Sequence, residues 1–317
     1  MAWRRLAAAL ALSTIGGIGL WSPVVVLPVI EAEFGVDRGG ASLPYTMTML
    51  AFAAGGVLFG RLADRFGIMA CLILGAVMLC VGYAVASLSE GYWHYVLAQS
   101  LLIGGLGSSS TFAPLVADIS HWFHRRRGIA VAIVASGNYL AGAIWPPVLQ
   151  YAIEQVGWRE THFWIGILCV VAMLPIAILL RRRAPHDHGD TVVAAHPTGG
   201  MPAPPAVLQG LLVLAGIACC VAMSMPQVHI VAWCVDLGYG AARGAEMLSL
   251  MLGFGVVSRL LFGFVTDRIG ALATLLLGST LQAIALMLYV PFDSLGSLYV
   301  ISAVFGLFQG GIVPSYA

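Results

Sequence analysis

Residues 60–67 read GRLADRFG and residues 263–270 read GFVTDRIG, so the pattern G-x-x-x-D-R-x-G occurs twice in this chain. Each copy lies in a short charged gap between two long apolar stretches. Repetition at corresponding places in two halves is typical of membrane proteins built from duplicated groups of helices. We therefore expect two related helical bundles, each with the same charged segment at the cytoplasmic surface.

The composition excludes a water-soluble globular protein. Of the 317 residues, 60% are hydrophobic and only 9% are charged, and the mean hydropathy is +0.94. Soluble domains carry about 25% charged residues, so this chain has too little polar surface to face water on all sides. The lipid bilayer is therefore the expected partner of its surface. The formal net charge of +1 gives no reason to expect binding to nucleic acid.

Ten apolar stretches are long enough to be transmembrane helices, which need about 20 mostly apolar residues. Their limits are near 6–30, 41–60, 70–89, 93–117, 128–153, 160–180, 206–235, 244–263, 271–290 and 296–317. None alternates in the manner of a strand, and an open sheet edge would leave backbone groups unpaired in lipid. The first stretch is too long for a signal-peptide core of about 7–15 residues. The sequence thus predicts an all-α membrane protein.

The distribution of positive charge predicts the orientation of these helices. All fifteen basic residues are arginines, and eleven of them fall in segments on the same side as the N-terminus. Positive residues accumulate on the cytoplasmic side of membrane proteins. We therefore expect an integral, multi-pass protein with a cytoplasmic N-terminus.

Residues 181–205 form the only long hydrophilic stretch, and their proline, glycine and histidine content predicts a flexible linker. The linker divides an N-terminal six-helix bundle, residues 1–180, from a C-terminal bundle of four helices, residues 206–317. A symmetric plan would have six helices in each bundle, so about 10 of 12 helices are expected here. The sequence is therefore expected to be a fragment or a truncated product.

The paired bundles, the basic linker and the repeated motif together resemble the major facilitator superfamily. Residues 60–67 look like the signature segment of that superfamily between helices two and three. The resemblance covers the whole chain and implies the two-bundle fold of the superfamily. It also implies a secondary carrier that works by alternating access.

A narrower resemblance begins at Trp122. Residues 122–130 read WFHRRRGIA and residues 157–159 read GWR, which is similar to the monocarboxylate-porter branch and its bacterial relatives. This resemblance implies a small organic anion as substrate, and a bacterial inner (plasma) membrane as location. The branch has an acid before the paired glycines of helix one, whereas Ile15 stands there in this chain. A co-transported proton is therefore expected only if another group carries it.

Arg259 is the most informative single residue. It lies four residues before Gly263, about one helical turn inside the membrane. An unpaired guanidinium there costs at least about 2.5–3.5 kcal/mol, so it needs a partner, a cavity or an anionic ligand. The resemblance implies binding of a substrate carboxylate at this place, although Gly255 replaces the acid of the branch. The alternative is a structural contact with carbonyls or acids near the surface.

Four further residues are candidates for a substrate cavity. His229 follows Pro226 by three residues, and a helix broken at proline exposes backbone groups that can line a cavity. Asn138 and Tyr139 on helix five and Trp21 on helix one belong to helices that line the cavity in the superfamily. For each of the four, ordinary packing inside the protein is the alternative interpretation.

The repeated motif is expected to act in gating and not in chemistry. Its two copies would hold the cytoplasmic side shut and separate when the halves rock apart. The alternative is a charge cluster that only sets topology. The expected gating residues are Gly60, Asp64, Arg65, Gly67, Gly263, Asp267, Arg268 and Gly270.

The predicted function is transport of a small, monocarboxylate-like organic anion. No phosphate-binding loop and no common hydrolase motif occurs in the sequence, so we expect neither an enzyme nor a bound cofactor or metal. One alternative is an exporter of drugs or hydrophobic metabolites with the same fold. Another, of a different class, is a non-transporting fragment or a membrane interaction protein.

Overall fold

The computed structural model describes residues 2–123, 127–181 and 205–309. Within these ranges the regular structure is helical, and none of the described residues lies in a β-strand. Eight helical segments are long and apolar enough to cross a membrane, and two shorter apolar helices follow. The ten predicted spans are therefore all present as helices. Most of the predicted linker, and the end of the tenth span beyond Gln309, lies outside the described residues.

The α-helices are numbered in chain order. They are α1 (Ala2–Gly16), α2 (Ile18–Val25), α3 (Leu27–Phe34), α4 (Arg38–Phe66), α5 (Ile68–Ser87), α6 (Tyr92–Leu97), α7 (Ala113–Trp122), α8 (Arg127–Ala135), α9 (Gly137–Val156), α10 (Trp158–Leu179), α11 (Pro205–Asp236), α12 (Ala241–Ile269), α13 (Ala271–Leu288) and α14 (Leu295–Gln309). Helices α1–α10 are called the N-terminal half below, and α11–α14 the C-terminal half.

Several predicted spans are interrupted helices. The first span consists of α1, α2 and α3, with breaks at Gly17 and Val26. The fourth span changes from α6 to a π-helical stretch, Ala98–Gly107, and then to a short 3₁₀ stretch before α7. Such irregular turns inside helices often mark functional regions. The predicted break at Pro226 was wrong. Helix α11 continues through this residue without interruption.

The fifth span is also an interrupted helix. Helix α8 ends at Ala135 and α9 begins at Gly137, with Ser136 between them. The last carbonyl groups of a helix lack intrahelical partners and carry partial negative charge. The break therefore presents the carbonyl of Ala135 to a neighbouring helix.

The repeated motif forms the ends of two helices and is not a loop. Helix α4 continues to Phe66 and α12 continues to Ile269, beyond the lengths that the apolar stretches indicated. Gly67 ends the first copy with φ 88° and ψ 161°, and Gly270 ends the second with φ 84° and ψ 161°. Gly157, between α9 and α10, has φ 82° and ψ 163°. All three positions lie in a backbone region that essentially only glycine adopts.

This geometry predicts unequal roles for the two glycines of the first copy. We expect Gly67→Ala to destabilise the protein by about 1–3 kcal/mol, because a Cβ at this φ and ψ strains the backbone. Gly60→Ala is the matched control, since it lies within α4 and a Cβ there would meet no described atom within 4 Å apart from the nearby backbone of its own helix. Thermal unfolding in detergent measures both. Equal unfolding midpoints for the two variants would contradict backbone strain at position 67.

A buried ion pair links α1 to α7 in the N-terminal half. Arg5 donates from Nε to Oδ2 of Asp118 and from Nη2 to Oδ1, both at 2.7 Å. The side chains are only 5% and 11% exposed. The guanidinium also lies 4.6 Å from the ring centroid of Trp122. This pairing fixes the first helix against the fourth span.

The two halves share a hydrophobic core along α9 and α12. Buried residues of α2 and α9 pack in one cluster with residues of α11, α12 and α14. Trp21, Tyr139, Val231 and Leu252 belong to this cluster. The interface between the halves is therefore well packed on one side, and a cavity opens beside it.

Candidate substrate cavity

A cavity of about 640 Å³ lies between the N-terminal and C-terminal halves. Helices α2, α4 and α9 supply one wall, and α11 and α12 supply the other. Substrate sites in carriers with repeated halves lie at the interface between the halves. The lining residues are Leu20, Trp21, Ser42, Tyr45, Thr46, Met49, Leu50, Phe52, Asn138, Tyr139, Cys220, Val221, Met223, Ser224, Met225, Gln227, Val228, His229, Leu252 and Arg259.

Arg259 supplies the positive charge of this cavity. Its Nη1 donates to the carbonyl oxygen of Ala135 at 2.9 Å, and its guanidinium carbon lies 4.1 Å from the ring centroid of Tyr139. Its Nε is buried and has no hydrogen-bond partner among the described residues. Within the described part of the chain no carboxylate forms an ion pair with Arg259. Both contact residues are neutral and belong to the opposite half, so the charge is available to an anion.

Trp21 and Asn138 meet on the N-terminal wall. The indole Nε1 of Trp21 donates to the backbone carbonyl of Asn138 at 3.1 Å. The side-chain Oδ1 of Asn138 is buried, and no residue in the described part of the chain hydrogen-bonds to it. This contact joins α2 to the start of α9, next to the residue that contacts Arg259. Trp21, Asn138, Tyr139 and Arg259 are therefore brought together.

His229 lies on the same cavity but apart from this group. It is seven residues from the end of α11, at Asp236, whereas Arg259 is 18 residues from the start of α12, at Ala241. At about 1.5 Å per residue, the two lie roughly 10 Å and 27 Å from the connection between these helices. Near His229, Gln227 donates from Nε2 to Oε1 of Gln309 at 2.6 Å. The cavity therefore has a cationic end and a second polar region along α11.

Between these polar regions the walls are mostly apolar. Methionines and an aromatic ring, which the sequence analysis did not single out, line both halves of the cavity: Met49, Phe52, Met223 and Met225. Methionine adapts its shape to irregular apolar partners. The cavity combines one cation with an adaptable apolar wall.

Three charged residues of the repeated motif have exposed side chains. Asp64, Arg65 and Arg268 are exposed, and no ion pair involves them among the residues that the structure describes. The guanidinium of Arg65 lies 5.4 Å from the ring of Phe66. Helix α12 includes Gly263 and Asp267, but their surroundings lie outside the described part. The two copies are not joined by a described contact in this conformation.

At the opposite end of the same helices, an ion pair joins the halves. Arg38, at the start of α4, donates from Nη2 to Oδ1 of Asp236 at 2.9 Å. It also donates from Nε to Oε2 of Glu31 at 3.1 Å. The side chains are between 31% and 51% exposed. The sequence alone does not indicate these contacts, because the pairing of the three residues depends on how the halves pack.

A comparison with family models decides the family. The model described as Major Facilitator Superfamily matches residues 9–317. This chain belongs to the major facilitator superfamily. The family and the predicted all-α membrane fold of about ten helices are thereby confirmed, and the chain is an integral, multi-pass membrane protein.

Relatives in the superfamily are similar over most of this chain. "MFS-type transporter pynF" of Aspergillus niger is 26% identical over 272 residues, 82% of this chain and 59% of pynF. "Agnestins efflux protein AgnL12" of Paecilomyces divaricatus is 23% identical over 293 residues, 89% of this chain and 64% of AgnL12. The chain therefore spans about three fifths of the length of these two relatives.

A solved structure of the superfamily shows the same fold. It is described as a bacterial homolog of the human lysosomal transporter Spinster, in an inward-facing and occupied conformation. The TM-score is 0.67 at 16% sequence identity, with 97% of this chain and 72% of the other chain covered. Such low identity supports the shared fold alone.

Proposed function

We propose that this superfamily member is a secondary carrier that moves an organic anion across the membrane by alternating access. The observation that carries the proposal is Arg259, a cation in the cavity between the halves whose described contacts are all neutral. Burying such a charge is costly, and an anionic ligand offsets that cost. Arginine suits carboxylates because its parallel N–H groups match the two oxygens. The monocarboxylate-like substrate belongs to this proposal.

The cavity also supports a role for the other predicted residues in substrate binding. Trp21, Asn138 and Tyr139 lie on the wall beside Arg259, and His229 lies further along α11. Among the described lining residues none is a carboxylate, so His229 is our candidate to carry a co-transported proton. Histidine titrates close to neutral pH and can fill that role.

The contacts at the two ends of α4 support the alternating-access part of the proposal. The halves are joined by Arg38 and Asp236 at one end, while Asp64, Arg65 and Arg268 are exposed at the other. We assign the Arg38 end to the closed outer side and the repeated motif to the cytoplasmic side. In the opposite state the motif residues Gly60, Asp64, Arg65, Gly67, Gly263, Asp267, Arg268 and Gly270 would form the closed gate. The arginine distribution supports this orientation.

Location in a bacterial plasma membrane stays a prediction, because both named relatives are fungal. The division into a six-helix bundle, a linker at 181–205 and a second bundle is likewise part of the proposal. It is supported by the matching ends of α4 and α12.

Loss of the ion pair at the outer side should shift the carrier toward its outward-open state. Exposed ion pairs contribute about 0.2–1 kcal/mol, so Asp236→Asn should raise the outward-open population roughly 1.4- to 5-fold. The rate at which Cys220, which lines the cavity, reacts with an impermeant maleimide from the Arg38 side measures this. Glu246→Gln is the control, since Arg243 and Glu246 pair within α12. Equal rates in Asp236→Asn and Glu246→Gln would contradict the gate.

Counterflow in proteoliposomes tests the proposed function. Vesicles containing the purified protein would be loaded with pyruvate, L-lactate, benzoate or 4-phenylbutyrate, and uptake of the same labelled acid would be followed. We expect at least one acid to enter faster than in protein-free vesicles. Absence of counterflow for every acid would overturn organic-anion transport.

The apolar wall favours a second candidate function, export of hydrophobic metabolites. Methionines and Phe52 could accept a ligand without a carboxylate, and one relative is named as an efflux protein. Such an exporter would tolerate the loss of Arg259. Drug susceptibility of cells that express Arg259→Gln or the unaltered protein separates the two functions.

A further inference from the structure

The aromatic ring of Tyr139 and the guanidinium of Arg259 form a contact between the halves. The guanidinium carbon lies 4.1 Å from the ring centroid, within the range of a cation–π interaction. Tyr139 is on α9 and is buried, whereas Arg259 is on α12. The ring holds one face of the guanidinium without neutralising its charge.

Gly255 makes room for this ring. It lies one helical turn before Arg259 on α12. A Cβ atom at residue 255 would be 2.5 Å from both Cδ1 and Cε1 of Tyr139, a separation too short for any side chain. The ring therefore occupies the space that a side chain at position 255 would need in order to pair with Arg259. An acidic residue at position 255 and the ring of Tyr139 thus exclude each other.

Two contacts then leave one edge of the guanidinium for a ligand. The ring covers a face, and the carbonyl of Ala135 accepts from Nη1 at 2.9 Å. Nε is buried, and within the described ranges it has no hydrogen-bond partner. Nε and Nη2 form the edge that presents two parallel N–H groups, the arrangement that matches a carboxylate.

We propose that Tyr139, seated on Gly255, is a positioning residue that turns the Nε–Nη2 edge of Arg259 toward a ligand carboxylate. The inference rests on the proposed function and deepens it, because it names a planar carboxylate as the recognised group. It also gives Tyr139 a role through its ring, and none through its hydroxyl. Gly255 becomes a specificity determinant although it carries no side chain.

Protection of Cys220 measures ligand binding directly. Cys220 is exposed and lines the cavity, so a ligand bound there slows its reaction with maleimide, and Cys220→Ser gives the background. The probes are 4-phenylbutyrate and its neutral amide, 4-phenylbutyramide, which have nearly the same shape. In the unaltered protein we expect the carboxylate to protect at a concentration at least tenfold lower than the amide.

Substitutions at Tyr139 test the positioning role. Tyr139→Phe keeps the ring and should leave the half-protecting concentration of 4-phenylbutyrate within about threefold. Tyr139→Leu removes the ring and should raise that concentration about tenfold. The value for 4-phenylbutyramide should stay unchanged, whereas general damage to the cavity would weaken both probes. Size-exclusion profiles confirm that each variant is folded.

Substitution of Gly255, in the C-terminal half, tests the positioning role of Tyr139 independently. Gly255→Ala should lower the preference for the carboxylate as Tyr139→Leu does, because the new methyl group displaces the ring. Gly253→Ala is the matched control on the same helix, since its Cβ would lie 3.9 Å from that of Ala143, an ordinary contact. It should retain the preference of the unaltered protein.

The outcomes separate this inference from the function on which it rests. Equal loss in Tyr139→Phe and Tyr139→Leu would assign the effect to the hydroxyl and overturn the positioning role. An unchanged preference in Tyr139→Leu and Gly255→Ala would overturn it as well, while leaving anion binding intact. Failure of 4-phenylbutyrate to protect the unaltered protein, together with absent counterflow, would overturn the proposed function and this inference together.

Discussion

Replacing Arg259 with glutamine is expected to weaken organic-anion binding at least about 100-fold. Hydrogen bonds between charged groups contribute about 1.5–3 kcal/mol each, and a carboxylate would form two with the guanidinium. Loss of about 3 kcal/mol corresponds to a factor above 100 in affinity. The effect is large because Arg259 is the one arginine among the described lining residues of the cavity.

Counterflow of 4-phenylbutyrate and its protection of Cys220 both measure this loss. Arg243→Gln is the matched control, because Arg243 is on the same helix but exposed and paired with Glu246. Arg259→Lys should have an intermediate effect, since lysine keeps the charge but lacks the parallel N–H groups. Transport at an unaltered rate in Arg259→Gln would contradict the anion site and favour the hydrophobic-metabolite exporter.

Removal of Asp118 should have the largest effect on stability. Breaking one side of a buried ion pair costs about 3–5 kcal/mol, because the remaining charge stays in a poorly solvated place. In Asp118→Ala, Arg5 loses two hydrogen bonds of 2.7 Å from a nearly buried position. We therefore expect a much lower unfolding midpoint in detergent.

The double variant Arg5→Met/Asp118→Leu separates charge from packing. Replacing both partners of a buried ion pair by apolar residues of similar size is often neutral or stabilising. We expect the double variant to unfold closer to the unaltered protein than Asp118→Ala does. An equally low midpoint for both variants would show that lost packing, and not the loss of the carboxylate's charge, determines the effect.

Hydropathy and residue type predicted the helices and much of the cavity. Arg259 is costly in lipid unless it has a partner or cavity, and the structure places it on the cavity with the other four candidates. Their role in binding remains a proposal. Helix ends were less predictable, because an apolar window measures the thickness of lipid and not the length of the helix. Thus α4 and α12 continue through the charged motif.

The pairings between distant residues could not be predicted from the sequence. Arg5 and Asp118 are 113 residues apart, and Arg38 and Asp236 are 198 residues apart. Each pair lies at the ends of apolar stretches, where charges also occur simply because water is near. Only the packing of the helices decides which of these charges meet. The packing of Tyr139 against Gly255 could not be predicted for the same reason, because the role of Gly255 depends on a ring from the other half.

The corners at Gly67, Gly157 and Gly270 show how little of the surrounding sequence this turn requires. All three have nearly the same backbone angles, yet the residues after them are Ile68, Trp158 and Ala271. The shape of the corner is set by one residue without a side chain, and its neighbours are free to change. Two of the corners belong to the repeat, whereas Gly157 lies outside it. A single glycine can therefore form the same helix-to-helix corner whether or not the rest of the motif surrounds it.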